Sequence, residues 1–254
     1  MSFRFKQFYI EDSKCAMKVG TDGVLLGAWA PISNFKFQIS NFKFQISNFR
    51  ILDVGTGSGL IARMMMQRCP EAEVEGIDID EFAVEQAREN GVNAYCAKLQ
   101  EWQNDQSPYG ANRSEEITNH KYDLIVSNPP YFQNSLKNPD KGRQTARHTD
   151  TLSYEDLIHH SARLLKEDGQ LALILPAESE EDIREIAARY SLYCSRITRV
   201  YSKEIKPARR VLMAFEKLKI KNYELKISED TLILEDEKGG RSLPYQELCK
   251  EFYL

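Results

Sequence analysis

The sequence lacks several features that would mark particular classes of protein. Its five cysteines are scattered and contain no Cys-x-x-Cys pair, which argues against a disulfide framework and a zinc site. The four histidines show no metal-ligand spacing. No stretch approaches the roughly 20 apolar residues of a membrane span, and the N-terminus has no secretion-signal run. We therefore expect a cytoplasmic protein that works without a metal.

An overall positive charge is also missing, because the formal net charge of the 254 residues is −4. Two local groups of basic residues nevertheless stand out, at 137–148 and 196–210. Local patches rather than net charge steer a protein toward phosphate, although such runs are usually solvated surface. The apolar fraction of 42% and the charged fraction of 28% are those of a globular protein with a real core.

A tandem repeat of Ser-Asn-Phe-Lys-Phe-Gln-Ile occupies residues 33–46 and begins a further copy at 47. Its apolar residues alternate as in a strand, but the odd repeat length points them to opposite faces in successive copies. One continuous strand cannot bury both copies on one side. We interpret 33–48 as a duplicated loop insertion without a function.

From residue 49 onward, short apolar runs alternate with helical patterns. Strands are predicted at 50–54, 73–79, 122–127, 171–175, 195–201 and 210–215. Helices are predicted at 60–68, 81–90 and 178–190, together with one that is capped by Ser153 and ended by Gly169. This alternation predicts an α/β fold: a mostly parallel sheet with helices on both faces.

No linker separates a second domain. We predict a single domain over residues 1–254 with an N-terminal extension at 1–30 and the repeat insertion at 33–48. A small C-terminal β/α appendage is predicted at 219–254, with short strands around Gly239 and a closing helix.

A glycine-rich loop follows the strand at 50–54, with the sequence Gly-Thr-Gly-Ser-Gly at 55–59. Glycines there allow a sharp turn and the close approach of a ligand. Asp78 ends the next strand, where a carboxylate meets ribose hydroxyls in nucleotide-binding folds. Leu60 stands where a dinucleotide fingerprint has glycine, and Asp53 offers a carboxylate to a cationic ligand group. Both observations favour S-adenosylmethionine and leave an NAD-dependent oxidoreductase as a poor alternative.

A second motif, Asn-Pro-Pro-Tyr, follows the strand at 122–127. Alone it would predict a rigid turn, but downstream of a cofactor loop it suits methyl transfer to an aromatic amine. The side-chain oxygen of Asn128 and the carbonyl of Pro129 can bind the amine hydrogens and free the nitrogen lone pair. Tyr131 can stack on an extruded base. The predicted catalytic residues are Asn128, Pro129, Pro130 and Tyr131.

With these motifs the sequence resembles the bacterial tRNA(Val) adenine-37 N6-methyltransferases, which belong to the Asn-Pro-Pro-Tyr class of amino-methyltransferases. The likeness covers nearly the whole chain except 33–48, and its most specific signal is the run at 15–29. Further segments that carry it are 5–8, 143–148, 207–212 and 252–254. It implies a Rossmann-like class I methyltransferase fold, S-adenosylmethionine as cofactor, and N6-methylation of an adenine in the tRNA anticodon loop.

The resemblance also assigns residues. Gly20, Thr21 and Asp22 would lie beside the methionine end of the cofactor, and Asp78 would hold its ribose. Lys98 stands where the family usually has an acid for the cofactor's adenine amine, so that contact would pass to a main-chain carbonyl or to Glu101, with lower affinity. The remaining cofactor-binding residues would be Asp53, Gly55, Thr56 and Gly57, and the substrate-binding residues Arg147, His148, Arg209 and Arg210.

Other functions remain open at this point. The Asn-Pro-Pro-Tyr motif is shared with enzymes that act on a protein glutamine or on a guanine of rRNA. A catalytically silent cofactor-binding RNA protein is a further alternative, for which Lys98 would be a sign of decay.

Overall fold

In the computed structural model, the residues described are 2–32, 49–102, 121–130, 152–217 and 226–253. The repeat at 33–48 lies outside them, so its interpretation as a functionless loop stays a prediction. No helix in these ranges is long and apolar enough to cross a membrane. The five cysteines all fall within the ranges and are free thiols.

An eight-stranded sheet and a separate two-stranded hairpin make up the described strands. The sheet order is β10-β8-β9-β7-β6-β3-β4-β5. Among these strands only β9 runs against the rest, because β7 and β8 both pair with it antiparallel. The mostly parallel sheet is therefore confirmed. The strands are β1 (Ser2–Arg4), β2 (Tyr9–Glu11), β3 (Arg50–Val54), β4 (Glu73–Asp78), β5 (Asn93–Cys96), β6 (Tyr122–Ser127), β7 (Leu165–Pro176), β8 (Leu192–Tyr201), β9 (Ala208–Lys217) and β10 (Ser228–Ile233).

Helices cover both faces of the sheet. Alternate residues of each strand point to opposite faces, so Ile51 belongs to one apolar cluster and Leu52 to the other. Helices α1, α2, α3 and α6 pack into the first cluster, and α4 and α5 pack into the second. The helices are α1 (Thr21–Trp29), α2 (Leu60–Arg68), α3 (Glu81–Glu89), α4 (Tyr154–Leu164), α5 (Glu180–Arg189) and α6 (Leu243–Cys249), with a short 3₁₀ turn at Ala177–Ser179.

Two predicted helix boundaries have the expected local chemistry. The Ser153 hydroxyl accepts a hydrogen bond from the Asp156 amide at 3.0 Å and so caps the start of α4. Gly91 follows α3 with a φ of 83°, the left-handed conformation that glycine tolerates best. Both boundaries are confirmed.

The predicted end of α4 at Gly169 is wrong. The helix stops at Leu164, and β7 begins at once with Leu165 opposite Tyr122 of β6. The next register pair joins Leu124 to Gln170, so four residues of β7 bulge out between the two pairs. A Cβ at position 169 would lie 2.7 Å from the Tyr122 carbonyl oxygen. Glycine therefore allows a close approach of two strands here and does not cap a helix.

The last part of the chain joins the main sheet. Strand β10 lies at its edge, parallel to β8 with Ser228 opposite Arg196. Glu235 and Arg241 then form an isolated bridge that encloses Gly239, and α6 follows. Helix α6 agrees with the predicted closing helix. Strand β10 ends at Ile233, before Gly239, whereas the short strands were predicted around that glycine.

The first and last described segments contact each other. The Phe5 ring stacks on Phe8 at 4.8 Å and on Tyr253 at 6.3 Å between centroids. The amide of Lys6 donates to the carbonyl of Phe252 at 2.9 Å. Phe5 and Phe252 are both buried. The two terminal segments that carried part of the family resemblance thus form one structural unit.

Candidate functional site

A cavity of about 770 Å³ opens at the carboxyl ends of β3, β4 and β6. Carboxyl ends of parallel strands are where ligands bind in open α/β sheets. Its volume lies within the usual range of small-molecule sites. Four segments of chain line most of it: residues 15–23, 54–58, 77–80 and 97–100, with Asn128, Pro129 and Pro130 at the end of β6.

The glycine loop after β3 forms the floor of the cavity. Gly55 and Gly57 have φ values of 70° and 53°, and a Cβ built on either would meet no atom within 4 Å. A Cβ at Gly59 would instead lie 2.7 Å from the Val92 side chain. The first two glycines therefore leave space for a ligand at the main chain, whereas the third allows close packing against the protein.

Asp53 supports this loop from behind. Its side chain is fully buried, and its Oδ2 accepts hydrogen bonds from the Thr56 hydroxyl at 2.8 Å and the Ala62 amide at 3.1 Å. Burial raises the pKa of Asp53 to about 7. Asp53 does not line the cavity, so the structure gives it a supporting position and not the direct ligand contact that the sequence predicted.

Asp78 stands at the end of β4 and does line the cavity. Its carboxylate accepts hydrogen bonds from the amides of Gly57 at 2.9 Å and Asp80 at 3.0 Å, one on each oxygen. The Ile77 carbonyl in turn accepts from the Gly55 amide at 2.8 Å. These bonds orient Asp78, which lines the cavity, against the glycine loop.

A strap, residues 12–19, forms the opposite wall and leads into α1. The Lys18 ammonium donates to the carbonyls of Asp12 at 2.8 Å, Ser13 at 3.3 Å and Cys15 at 2.8 Å. The Val19 amide donates to the buried carboxylate of Asp12 at 2.9 Å. These hydrogen bonds hold the strap in a loop around the Lys18 ammonium group. Sequence reasoning missed this role, because Lys18 is exposed as most loop lysines are, and the sequence does not show which carbonyls its ammonium group reaches.

The strap also delivers three predicted cofactor residues to the cavity. Gly20 caps α1 in an extended conformation, and Thr21 and Asp22 begin its first turn. All three line the cavity. The nearby Cys15 thiol is buried, and this burial raises its pKa to about 11.

An ion pair links α1 to β9. The Nε of Arg210 lies 2.8 Å from Oδ2 of Asp22, and both side chains are about a quarter exposed. Sequence reasoning had placed Asp22 at the cofactor and Arg210 at the substrate. The structure brings these two predicted groups together, although they are far apart in the sequence.

The Asn-Pro-Pro motif begins where β6 ends. The hydroxyl of Ser127 donates to the carbonyl of Val54 at 2.8 Å and ties β6 to β3 just before the motif. Asn128 is partly buried, Pro129 is buried and Pro130 is exposed. The motif therefore stands next to the glycine loop at the mouth of the cavity.

Three further predicted residues fall in a part of the chain that the structure does not describe, and a fourth lies on β9. Tyr131, Arg147 and His148 lie outside the described residues. Arg209 is exposed at the start of β9.

The segment after β5 forms the last wall. Ala97 is fixed by a hydrogen bond from its amide to the Asp78 carbonyl at 2.9 Å. Lys98 and Gln100 line the cavity, and of the described residues in this segment Glu101 does not. Glu101 is therefore not in position to bind the adenine amine of the cofactor in place of the acid that the family usually has where Lys98 stands here. Across the described residues, no group of three or more His, Cys, Asp or Glu side chains could hold a metal ion.

Comparison with known proteins identifies the family. Residues 36–186 match the model of the methyltransferase small domain family. A tRNA1(Val) (adenine(37)-N6)-methyltransferase from Bacteroides fragilis is 41% identical, covering 99% of this chain and 97% of the relative. A relative of the same name from Parabacteroides distasonis is 43% identical over the same shares. The chain belongs to this methyltransferase family.

Solved structures agree on the fold of this methyltransferase. A predicted O-methyltransferase from Agrobacterium tumefaciens superposes with a TM-score of 0.60 at 20% identity, covering 91% of this chain and 96% of the other. A class I S-adenosylmethionine-dependent methyltransferase from Listeria monocytogenes gives a TM-score of 0.52 at 14% identity, covering 85% of this chain and 68% of the other. At these identities the likeness concerns the fold alone.

S-adenosylmethionine is the cofactor of this methyltransferase, and the cavity suits it. The space above Gly55 and Gly57 admits a ligand to the main chain, and the Asp78 carboxylate can accept hydrogen bonds from ribose hydroxyls. Ile79, half exposed at the rim, offers an apolar surface to an adenine ring. The carboxylate of Asp78 at the cavity wall suits a cationic ligand group, whereas that of Asp22 is paired with Arg210.

Proposed function

We propose that this methyltransferase modifies the N6 amino group of adenine 37 in tRNA(Val). The observation that carries the proposal is the position of Asn128, Pro129 and Pro130 at the mouth of the cofactor cavity. The curated relatives, which match nearly the whole chain, are named for this reaction. With tRNA as its partner, the enzyme would work in the cytoplasm.

The chemistry requires an adenine amine to become nucleophilic. Its lone pair is delocalised into the ring, so two hydrogen-bond acceptors are needed to bind its hydrogens and localise that pair. The Asn128 side-chain oxygen and the Pro129 carbonyl are the two acceptors, and the fixed φ angles of Pro129 and Pro130 limit their movement. When bound, the cofactor supplies an electrophilic methyl group. The protein's main contribution is positioning, and no strong base is required.

Residues around the motif would hold the RNA. Tyr131 would stack on the extruded adenine, as enzymes that modify bases generally require. Arg147, His148 and Arg209 would contact phosphates. Arg210 would take part through its ion pair with Asp22.

The proposal is tested with labelled cofactor and two tRNA(Val) transcripts, one with adenine and one with guanine at position 37. We expect label only in the adenine transcript, and mass spectrometry of its nucleosides should detect N6-methyladenosine. Equal labelling of both transcripts would contradict the position. Label that appears only in rRNA or in release factors would contradict the substrate. Cofactor binding in titration calorimetry without any transfer would identify a silent binding protein instead.

A further inference from the structure

The hairpin turn between β8 and β9, residues 202–207, projects beside the cavity. Strand β7 is parallel to β6, so both end at the edge of the sheet where Asn128 lies. Strand β9 pairs antiparallel with β7, with Arg210 opposite Pro176. The start of β9, and therefore the turn before it, stands at this same edge. We call residues 202–209 the hairpin tip.

An aliphatic side chain stands at the end of the hairpin tip. Ile205 is 92% exposed, more than any other large apolar residue of the described chain. The turn that carries it is closed by a hydrogen bond from the Lys206 amide to the Lys203 carbonyl at 3.1 Å. A single exposed aliphatic residue is ordinary on a protein surface, so its surroundings decide whether it has a partner.

The cations around Ile205 fall into two pairs with different roles. Lys203 lies 3.3 Å from Glu235, and Arg210 lies 2.8 Å from Asp22, so both are held by carboxylates. Lys206 and Arg209 are exposed, and within the described ranges neither has a carboxylate at ion-pair distance. The hairpin tip thus presents an apolar side chain that is followed along the chain by two exposed cations, Lys206 and Arg209, which are available to phosphate.

We propose that the hairpin tip is an RNA-contacting element of this enzyme, which rests on the proposed function in tRNA. Lys206 and Arg209 bind phosphates next to the target nucleotide, and Ile205 enters the space that the extruded adenine leaves. A base must leave the stack before its amine can be modified. Aliphatic side chains inserted between bases stabilise such an unstacked state in other complexes.

The position of the hairpin tip relative to the cavity is fixed by Arg210. Its ion pair with Asp22 connects the base of the hairpin to the first turn of α1, whose residues line the cofactor cavity. Arg210 is therefore a positioning residue, and Arg209 is the one that reaches the RNA.

The test uses an anticodon stem-loop RNA with the fluorescent base 2-aminopurine at position 37. This base has its amino group at C2 instead of C6, so it is not a substrate for N6 methylation and its fluorescence reports unstacking. With the wild-type enzyme we expect fluorescence to rise on binding. The Ile205→Ser variant should lose most of this rise and bind about tenfold more weakly, as expected for a lost contact to a base. Its cofactor affinity and circular dichroism should stay unchanged.

The cations are tested by the salt dependence of binding. Lys206→Ala and Arg209→Ala should each lower the slope of log affinity against log salt by about 0.7, the value for one single-strand phosphate. Arg163→Ala is the matched control. This exposed arginine lies near the end of α4, which leads into the start of β7 at the opposite edge of the sheet, and the substitution removes the same charge. Its slope should equal that of the wild type.

Four results would overturn the proposal or separate it from the proposed function. A full fluorescence rise in Ile205→Ser would remove the wedge role. Equal losses in Arg209→Ala and Arg163→Ala would show a general charge effect instead of a contact. A wild-type enzyme that methylates tRNA while every hairpin-tip variant behaves normally would refute the hairpin tip alone, whereas a wild-type enzyme without tRNA methylation would refute the proposed function itself.

Discussion

Polar groups lie at both ends of the parallel strands, but those at the amino ends bond to one another and those at the carboxyl ends line the cavity. Toward the amino ends, the Glu75 carboxylate accepts hydrogen bonds from Arg50 at 2.7 Å and from the Tyr122 hydroxyl at 2.9 Å. Trp102 donates to the same hydroxyl at 3.0 Å. Close by, Asp123 accepts from the Lys166 ammonium at 2.7 Å. These groups bond to one another, and none of them lines the cavity.

At the carboxyl ends, polar groups are arranged around a space. Asp78 is held by two amides yet lines the cavity, and the glycines before it leave the main chain accessible. In the same strands, the polar residues at the amino ends therefore stabilise the fold, and those at the carboxyl ends form the ligand site. A substitution at the amino end should lower the stability of the fold without changing ligand binding. A substitution at the carboxyl end should impair binding or methyl transfer without changing stability.

The largest expected effect on stability is at the amino end. The Glu75→Ala substitution leaves the nearly buried Arg50 without its inner partner, and we expect the free energy of unfolding to fall by about 3–5 kcal/mol. Glu73→Ala is the matched control, because Glu73 pairs with the same arginine but is 61% exposed. Its loss should cost less than about 1 kcal/mol. Urea denaturation measures both values, and equal losses would refute the comparison.

The largest expected effect on activity is at the carboxyl end. The Asn128→Ala substitution removes one acceptor for the adenine amine, and we expect single-turnover methyl transfer to slow by about 10²–10³-fold. The midpoint of urea denaturation and the affinity for the cofactor should not change. A transfer rate within a few-fold of the wild type would remove Asn128 from the catalytic residues.

A smaller effect is expected at the strap. The Lys18→Met substitution removes three charge-assisted hydrogen bonds to carbonyls, so the cavity wall should loosen and cofactor affinity should fall about tenfold. Titration calorimetry measures this affinity. Lys14→Met is the control, because Lys14 lies on the same strap but pairs with the exposed carboxylates of Glu85 and Glu89. Such surface pairs contribute little, so an equal loss in the control would contradict the role given to Lys18.

The glycine loop shows which part of the site could be predicted from sequence. Its backbone angles need glycine, so the residue types themselves reveal the turn, and Asp78 follows from its position at the end of the next strand. The sequence also predicts that Asp53 lies next to the glycine loop, and it does. Whether its side chain points into the cavity or behind the loop depends on packing, which the sequence does not show. The structure has it behind, bonded to Thr56 and Ala62.

Contacts between distant segments could not be predicted. The pair of Asp22 and Arg210 depends on the order of strands in the sheet, which brings β9 beside α1. Gly169 illustrates the same limit for the fold. A glycine that ends a helix and a glycine that lets two strands approach have the same appearance in a sequence, and only the register between β6 and β7 distinguishes them.

The contact of Phe5 and Lys6 with Phe252 and Tyr253 has a consequence for biosynthesis. The ribosome makes the strap early, yet the aromatic residues against which the preceding segment packs leave the exit tunnel more than two hundred residues later. The segment that precedes the strap is therefore among the last parts of the protein to meet its packing partners.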